Sequence, residues 1–307
     1  MVMGDNGTIF IGTRSAGNAY SINNGKQYTI AINLNMPNGL AFHNQSLYVA
    51  AVDKYYRMDN IKANLANLPP LKLIRDDFPE ESHHGWRYIA FGPDQRLYIA
   101  IGAPCNVCLK QNTAIRSMKT DGSDEQVEAR DIRNSVGFSW HPQNQKLWLS
   151  DNGRDMMGDD IPPDELNRVD VAGQHFGFPY CHVGTIADPD YNDLSCRTFS
   201  SPAKALGAHV APLGIAFYTG KQFPGAYQNR LFVAEHGSWN RSKKVGYRVA
   251  MATLDGDKVI DYKTFVSGWL QGENAWGRPA YILQMKDDSL LISDDRAGVI
   301  YRVSNQP

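Results

Sequence analysis

Short stretches in which apolar and polar residues alternate recur along the whole chain, separated by turns rich in Gly, Pro, Asn and Asp. Alternation with a period of two is typical of a half-buried β-strand, and a turn between two such stretches is typical of a hairpin. A helical period occurs in one segment, where Ile61, Leu65 and Leu68 lie on one side before Pro69 ends the pattern. The pattern predicts an all-β protein with one short helix-like excursion at its surface.

The hairpins form an internal repeat. Its six copies share a Gly-containing start, an apolar-x-apolar stretch, a turn and a second strand, and these second strands are expected to begin at Ile9, Leu47, Leu97, Leu147, Leu231 and Leu290. The mean spacing is about 51 residues, and further strand-like pieces bring each unit to about four strands, as in a propeller blade. We therefore predict that residues 1–307 form a single six-bladed β-propeller of four-stranded antiparallel blades, with an irregular β-sandwich as the alternative.

Closure of the ring poses a separate question. A propeller usually pairs a strand from one terminus with the blade at the other, but no strand is expected here before Gly4. Two alternatives stay open: an N-terminal closing strand is missing from this sequence, or the last blade has only three strands.

Composition and charge restrict the possible partners. The 31 Lys and Arg residues nearly balance the 32 Asp and Glu residues. The sequence therefore offers no general attraction to nucleic acid or to an anionic membrane. No apolar run approaches the length of a membrane span, and the N-terminus lacks the pattern of a signal peptide. The cysteines fall into two local pairs, Cys105 with Cys108 and Cys181 with Cys196. Two disulfides in an oxidising compartment are favoured over free thiols.

One loop is dense in carboxylates. Residues 151–165, with the sequence DNGRDMMGDDIPPDE, contain Asp151, Asp155, Asp159, Asp160, Asp164 and Glu165. Calcium collects side-chain and main-chain oxygens from bent backbone, so the loop is a candidate calcium site. It is not an EF-hand loop, and a solvated acidic loop is the alternative.

Several histidines and arginines lie in loops or near strand ends. Loops at one end of a propeller converge on its channel, so these side chains can meet there, whereas each taken alone is as readily structural. Converging guanidinium groups suit a planar polyanion, because they bind carboxylates through paired hydrogen bonds. The candidates are His83, His84, His236, Arg14, Arg133, Arg154, Arg241, Arg248 and Arg278.

Multi-residue motifs connect these candidates to a family. They read HHGWRYIAFGPDQRLYIAIGAPCNVC, IRNSVGFSWHP, SDNGRD, DELNRVD, EHGSWNRSKKVGYRV and WGRPAYILQMKDDSLLISDD. With these motifs, in this order from about Gly4 to Val303, the chain resembles the pyrroloquinoline-quinone-dependent sugar dehydrogenases of the soluble glucose dehydrogenase superfamily. The sorbosone and pyranose dehydrogenase branch is the most similar.

This resemblance implies a propeller that holds pyrroloquinoline quinone (PQQ) and Ca²⁺ at one end of its channel. His84 matches the catalytic base, eight residues before the Gly of Gly92-Pro93-Asp94. The matching metal residues are Gly153 and Arg154, through main-chain carbonyls, and Asp164. Residues implied or expected to bind the cofactor are Arg133, Asn134, His236, Trp239, Arg241, Arg14 and Arg278.

The implied activity is oxidation of the C1 hydroxyl or aldehyde of a sugar, with hydride transfer to the quinone. Glucose is placed in doubt as substrate, because His83 and Arg154 stand where glucose-oxidising relatives carry Asp and Pro. No c-type haem motif is present, so a separate quinone, cytochrome or dye is expected to accept the electrons. The resemblance and the cysteine pairs favour a periplasmic or secreted protein. The alternative functions are a calcium-dependent sugar-lactone hydrolase and a non-catalytic ligand-binding propeller.

Overall fold

The computed structural model describes residues 1–61, 65, 67–109 and 113–305. These residues form six principal β-sheets arranged as the blades of a six-bladed propeller, and the two helical elements among them are single 3₁₀ turns, Cys196–Thr198 and Gly225–Tyr227. The predicted fold class is therefore confirmed.

The first two blades each contain four antiparallel strands. The first contains β1 (Val2–Met3), β2 (Ile9–Gly12), β3 (Ala19–Asn23) and β4 (Lys26–Ala31). The second contains β5 (Gly39–His43), β6 (Ser46–Ala50), β7 (Tyr55–Met58) and β8 (Leu71–Arg75).

The carboxylate-rich loop lies in the fourth blade, between its second and third strands. The third contains β9 (Ile89–Phe91), β10 (Leu97–Ile101), β11 (Ala114–Met118) and β12 (Gln126–Arg130), with β16 (Gln174–His175) added in parallel to β12. The fourth contains β13 (Phe138–Trp140), β14 (Leu147–Asp151), β15 (Pro163–Val169) and β19 (Lys204–Ala208), and the hairpin of β17 (Cys181–His182) and β18 (Ile186–Ala187) lies between the last two in sequence.

The last two blades differ in strand number. The fifth contains β20 (Pro212–Phe217), β21 (Leu231–Glu235), β22 (Arg248–Asp255) and β23 (Lys258–Ser267), and a small hairpin of β24 (Leu270–Gln271) and β25 (Asn274–Ala275) follows it. The sixth contains three strands within the described residues: β26 (Pro279–Gln284), β27 (Leu290–Asp294) and β28 (Val299–Val303).

Two details correct the prediction. A strand does precede Gly4, because Val2 and Met3 pair with Phe10 and Ile9 in β2. Five of the six second strands begin where the repeat placed them, whereas β6 begins at Ser46, one residue earlier than expected. The three strands of the last blade fit both alternatives for the ring, so the choice between them stays open.

The apolar cores lie between neighbouring blades. Five clusters of buried side chains fill successive inter-blade spaces, and they include Trp148 and Tyr218, which are fully buried. Truncating a core residue of this size typically costs about 3–5 kcal/mol. Glycine is required where inner strands come closest, since a Cβ at Gly39 would overlap the main-chain oxygen of Arg87.

The inner strands surround a channel. Across it, the hydroxyl groups of Tyr88 and Tyr281 lie 2.9 Å apart. A cavity of about 540 Å³ lies at the end of the channel where the turns within the first hairpins of the blades meet, and its lining includes Trp140, Phe217 and Lys286. The loops that carry the candidate site residues lie at the opposite end.

The remaining predictions concern local features. Both predicted disulfides form, Cys105–Cys108 and Cys181–Cys196. In the helix-like segment, residues 62–64 and 66 lie outside the described residues, so helix formation there is not tested. Ile61 and Leu65, on the predicted apolar side of the segment, are buried in the core between the first two blades. Within the described residues, no helix is long and apolar enough to cross a membrane.

Candidate functional site

Antiparallel pairing brings most of the predicted site residues to one end of the propeller. The loops that lead into the first strand of a blade and the loops that follow its second strand lie at the same end. His84, Arg133, Asn134 and Arg278 lie in loops of the first kind, whereas the 151–162 loop and the 236–247 loop are of the second kind.

His84 is the most constrained of these residues. Its side chain is 7% exposed, and its backbone has a φ of +50°, in the left-handed region. Its Nδ1 lies 2.9 Å from the main-chain oxygen of Ala103. Because a carbonyl can only accept, Nδ1 carries the proton and Nε2 of the neutral ring does not. Gly102 makes room for this arrangement, since a Cβ there would lie 2.7 Å from both the Cβ and the main-chain oxygen of His84.

Electrostatics keep His84 uncharged. Burial, followed by the positive charges of Arg133, His83 and Arg14, lowers the pKa of His84 to about 2. Its imidazole is therefore neutral at any physiological pH. The cations around it also create a local field that favours an anion.

Arg87 supports the His84 loop, although the sequence pattern did not single it out. Its guanidinium is fully buried and donates to the main-chain oxygens of Val52 (2.9 Å), Pro79 (2.8 Å) and His84 (3.4 Å). Burial lowers the pKa of Arg87 to about 10. This contact network became visible only in three dimensions, because Val52 is distant in sequence.

Arg133 and Asn134 lie beside His84. The main-chain N–H of Ala103 donates to the oxygen of Arg133 (2.8 Å), and Asn134 Oδ1 lies close to the space above Gly102. Arg133 is 3% exposed, and four of its five N–H groups have protein acceptors. These acceptors are Asn106 O, Asn106 Oδ1, Asn152 O and Asp155 Oδ2.

The carboxylates of residues 151–165, the acidic loop, bind protein groups. Asp151 accepts the N–H groups of Arg133 (3.1 Å) and Asn134 (2.7 Å), and Asp164 accepts those of Gly153 (2.7 Å) and Ala211 (2.8 Å). The other partners are Arg133 for Asp155, Ser242 for Asp159, Arg241 for Asp160 and both Val183 and Asn167 for Glu165. Among the described residues, no group of three or more His, Cys, Asp or Glu side chains could hold a metal ion.

Burial raises the pKa of three of these carboxyl groups, among them Glu165. Burial raises the pKa of Asp164 to about 7, and burial together with the negative charge of Glu165 raises the pKa of Asp151 well above its usual value. A nearby cation would favour their ionised forms. The main-chain oxygens of Gly153 and Arg154 accept no hydrogen bond from the described residues, so two adjacent oxygens remain available in this loop.

The Arg154 side chain forms ion pairs with carboxylates outside the acidic loop. It binds both oxygens of Asp188 at 2.6 Å and one oxygen of Asp190 at 2.6 Å. His182 also contacts Asp188, at 2.9 Å. The side chain therefore attaches the acidic loop to the segment closed by the Cys181–Cys196 disulfide.

A second group forms around Arg278. Its guanidinium contacts His236 Nδ1 (3.2 Å), Ser238 O (3.0 Å) and the hydroxyl of Tyr247 (2.9 Å). Since a guanidinium only donates, His236 accepts at Nδ1 and donates from Nε2 to Asp295, 2.8 Å away. The Nε of Arg278 is buried without a hydrogen-bond partner among the described residues.

The remaining predicted residues lie at the rim. Arg14 stacks on Trp86, 4.2 Å from the ring centre, and no carboxylate within the described part of the chain forms an ion pair with it. Trp239 is 63% exposed, so it does not belong to a closed pocket in this structure. Arg241 binds the oxygen of Asp159 and the carboxylate of Asp160, which joins the 236–247 loop to the acidic loop.

Comparisons with known proteins agree with this fold. The family model described as Glucose / Sorbosone dehydrogenase matches residues 50–240, and one described as TrAA12-like matches residues 183–305. A relative from Borreliella burgdorferi, described as an uncharacterized protein, is 38% identical over 97% of this chain and 83% of its own length. The chain belongs to the Glucose / Sorbosone dehydrogenase family.

Solved structures with low sequence identity share the propeller. The holo form of the pyranose dehydrogenase PQQ domain from Coprinopsis cinerea has a TM-score of 0.77 at 16% identity, covering 99% of this chain and 91% of that one. The calcium structure of the Family AA12 enzyme from Trichoderma reesei gives 0.77 at 17%, covering 98% and 96%. The PQQ-bound aldose sugar dehydrogenase from Streptomyces coelicolor gives 0.70 at 19%, covering 96% and 86%.

Proposed function

We propose that this protein is a PQQ-dependent dehydrogenase that oxidises the C1 hydroxyl or the aldehyde of a sugar, such as an aldose, a pyranose or a sorbosone-like compound. The geometry of His84 carries the proposal. The ring is buried and neutral, its Nδ1–H is fixed on Ala103, and no hydrogen bond from the described residues occupies Nε2. A base with one free nitrogen beside several cations suits proton removal next to an anionic cofactor. Family membership supports a sugar dehydrogenase.

The cations around the channel suit a cofactor with three carboxylates. Arg14 and Arg278 have no carboxylate ion pair among the described residues, and Arg278 also has a buried, unpartnered Nε. Arg133 has one N–H left beyond its protein acceptors. We assign these three arginines, with Asn134, His236, Trp239 and Arg241, to cofactor binding.

The acidic loop suits calcium through its main chain. The oxygens of Gly153 and Arg154 are available, and Asp164 fixes the turn by accepting the Gly153 N–H. Calcium commonly uses main-chain carbonyls together with few carboxylates when other oxygen ligands complete the shell. We assign the two carbonyl oxygens and Asp164 to the metal.

When bound, PQQ would supply a two-electron acceptor for hydride, and Ca²⁺ would polarise its carbonyl oxygens. His84 would remove the proton from the substrate hydroxyl, or from an aldehyde hydrate, at Nε2. Its Nδ1–H bond to Ala103 fixes the ring during this step. Carboxylates bound near Arg14 and Arg133 would offset the cations that lower the pKa of His84, and so make it a stronger base. General-base assistance of this kind typically contributes about 10² to 10⁴ in rate.

The electron acceptor and the compartment belong to the proposal. We expect the electrons to leave through a separate quinone, cytochrome or dye. Two disulfides are compatible with the periplasm or the exterior of the cell, and we propose that location. A calcium-dependent lactone hydrolase has less support, because it leaves the geometry of His84 and the arginines around the channel without a role.

The test is reconstitution. Purified apoprotein is mixed with PQQ and Ca²⁺, and cofactor absorbance and dye reduction are followed with a panel of aldoses and aldehydes. We expect tight cofactor binding and reduction of the dye by at least one sugar. Failure of PQQ to bind would refute the proposal, whereas binding without dye reduction would favour a non-catalytic ligand-binding propeller.

A further inference from the structure

Asn106 connects two parts of the proposed site, and neither the sequence motifs nor the assignments above give it a role. It lies in the loop after β10, in a four-residue segment closed by the Cys105–Cys108 disulfide. The loop belongs to the third blade, whereas its partners lie in loops of the fourth. Asn106 is therefore placed to couple one blade to the next.

On one side Asn106 holds Arg133. Its main-chain oxygen accepts Arg133 Nε and its Oδ1 accepts Arg133 Nη2, both at 2.8 Å. A planar guanidinium bound at two adjacent nitrogens cannot rotate about its own axis. Half of the hydrogen bonds that position Arg133 therefore end on this one residue.

On the other side Asn106 holds the acidic loop. Its Oδ1 accepts the N–H of Asp155 (2.9 Å), and its Nδ2 donates to the oxygen of Asp155 (3.1 Å). This two-point contact needs an acceptor and a donor on one short stem, which asparagine provides and aspartate does not. Asp155 directly follows Arg154, so the contact fixes the main chain next to the carbonyl oxygens assigned to the metal.

Asn106, Arg133 and Asp155 are joined to one another by hydrogen bonds. The Asp155 carboxylate also binds Arg133 Nη2 at 2.8 Å, so Asn106, Arg133 and Asp155 each contact the other two. The disulfide reduces the conformational freedom of the loop that carries Asn106. A fixed loop, rather than a flexible one, delivers the asparagine to its partners.

We propose that Asn106 is a positioning residue that orients Arg133 toward the cofactor and holds the metal-binding main chain at Gly153 and Arg154. This inference rests on the proposed function, because it assigns the support of that site. It predicts that the effect of Asn106 on cofactor binding passes through Arg133 and the acidic loop, and not through overall stability.

The experiment compares Asn106→Ala with the unaltered protein. PQQ affinity is measured by fluorescence titration at fixed Ca²⁺, and we expect the Kd to rise roughly tenfold. In an Arg133→Ala background the same substitution should raise the Kd by a smaller factor, because only the contacts of Asn106 with Asp155 remain to be lost. Amide hydrogen exchange of the apoprotein should become faster at residues 133–134 and 152–156.

Asn144→Ala is the matched control. Asn144 also makes two side-chain hydrogen bonds, to Asp257 (2.8 Å) and from Lys146 N–H (3.1 Å), but it lies in the turn between β13 and β14, at the other end of the blade. We expect it to leave PQQ affinity and the exchange of both segments unchanged. If Asn106→Ala does not fold, Asn106→Asp replaces it. It keeps both acceptor roles of Oδ1, but it replaces the donor to Asp155 with an acceptor and adds a negative charge near the Asp155 carboxylate. Faster exchange at 152–156 is then expected.

The outcomes separate this inference from the proposed function. An unchanged Kd, or an undiminished effect in the Arg133→Ala background, overturns the role of Asn106 while the dehydrogenase proposal stands. If the unaltered protein does not bind PQQ, the proposed function fails. The exchange rates then decide whether Asn106 holds the two segments, and unchanged rates would overturn that as well.

Discussion

Arg133 and Arg278 occupy equivalent places in two blades, yet their side chains are used differently. The main-chain N–H of each donates to a buried carboxylate at the end of its blade's second strand, Asp151 (3.1 Å) for Arg133 and Asp294 (2.9 Å) for Arg278. Arg133 then binds four protein acceptors, including the Asp155 carboxylate. Arg278 binds neutral groups and keeps a buried Nε without a partner among the described residues.

One backbone arrangement therefore serves two purposes. On the side of the third and fourth blades, most polar groups of the site bind other protein groups. These contacts hold His84 and the acidic loop in place. On the side of the fifth and sixth blades, the charge of Arg278 is not balanced by a direct carboxylate contact. The first side is therefore suited to fixed chemistry and the second to binding an anion from outside.

The largest effect should come from Arg133→Met. The substitution leaves the Asp155 carboxylate without its cation and leaves the oxygens of Asn106 and Asn152 without the donors that they bind in the unaltered protein. Breaking a buried ion pair in this way typically costs about 3 kcal/mol or more. Denaturant unfolding of the apoprotein measures the loss.

Arg278→Met is the comparison for that experiment. Since no carboxylate is stranded, the free energy of unfolding should change by no more than about 1 kcal/mol. Equal losses in the two variants would contradict the distinction between the two sides.

His84→Ala tests whether the chemistry lies on the internally satisfied side. We expect the variant to keep its cofactor and to lose turnover by at least about two orders of magnitude, because the base is removed while the cations remain. Dye reduction and cofactor content are measured on the same sample. His43→Ala is a suitable control, since His43 stacks on Phe91 at the other end of its blade. Lost cofactor with normal turnover per bound molecule would show that His84 has a different role.

A smaller effect is expected for cofactor affinity in Arg278→Met. Removing one guanidinium from an anion site should raise the Kd for PQQ roughly tenfold, with little change in kcat at saturation. Arg278→Lys keeps the positive charge but not the planar guanidinium, and its Kd for PQQ should lie between those of the unaltered protein and Arg278→Met. Arg302→Met, which removes a surface partner of Asp287, serves as the control. An unchanged Kd in Arg278→Met would contradict the assignment of Arg278 to the cofactor.

The sequence was sufficient for the hairpin that begins each blade. The second strands of the second to fifth blades are buried throughout, and each follows a turn as a mostly apolar run, so its start can be predicted. The outer strands β12 and β23 are mostly exposed. They carry no such pattern, and the repeat did not predict them. The two-residue strand β1 is too short for any periodicity.

The site was predictable where side chains follow the repeat, and not where contacts are long-range. His84, Arg133 and Arg278 precede inner strands, so their presence at one end follows from topology. Asn106 and Arg87 act through partners in other loops, and nothing in their local sequence indicates which oxygen they bind. The acidic loop shows the same limit of prediction. Its composition suggested that several carboxylates would meet at a metal site, whereas in the structure these carboxylates bind N–H groups and arginines of the protein.

His84 and Asp164 affect the pH dependence of stability in opposite directions. The pKa of His84 is lowered from about 6.5 to about 2, mainly by burial. Between these values the unfolded chain takes up a proton that the folded protein does not, so His84 contributes its full stability above pH 6.5 and less as the pH falls. Asp164, whose pKa is raised to about 7, has the opposite effect, because the folded protein holds its proton while the unfolded chain releases it.

We therefore expect His84→Gln to flatten the acid side of the stability profile and to leave the contribution of Asp164 in place. Thermal unfolding of the apoprotein at pH 7.5 and pH 4.5 measures this, and the difference in Tm between the two proteins should shift by about 2–4 °C in favour of the variant on acidification. Arg133→Met should also reduce the acid sensitivity of His84, since one of the cations that lower its pKa is removed, whereas Arg278→Met should not. An equal response in the two arginine variants would mean that the positive field at His84 does not come from its own side of the site.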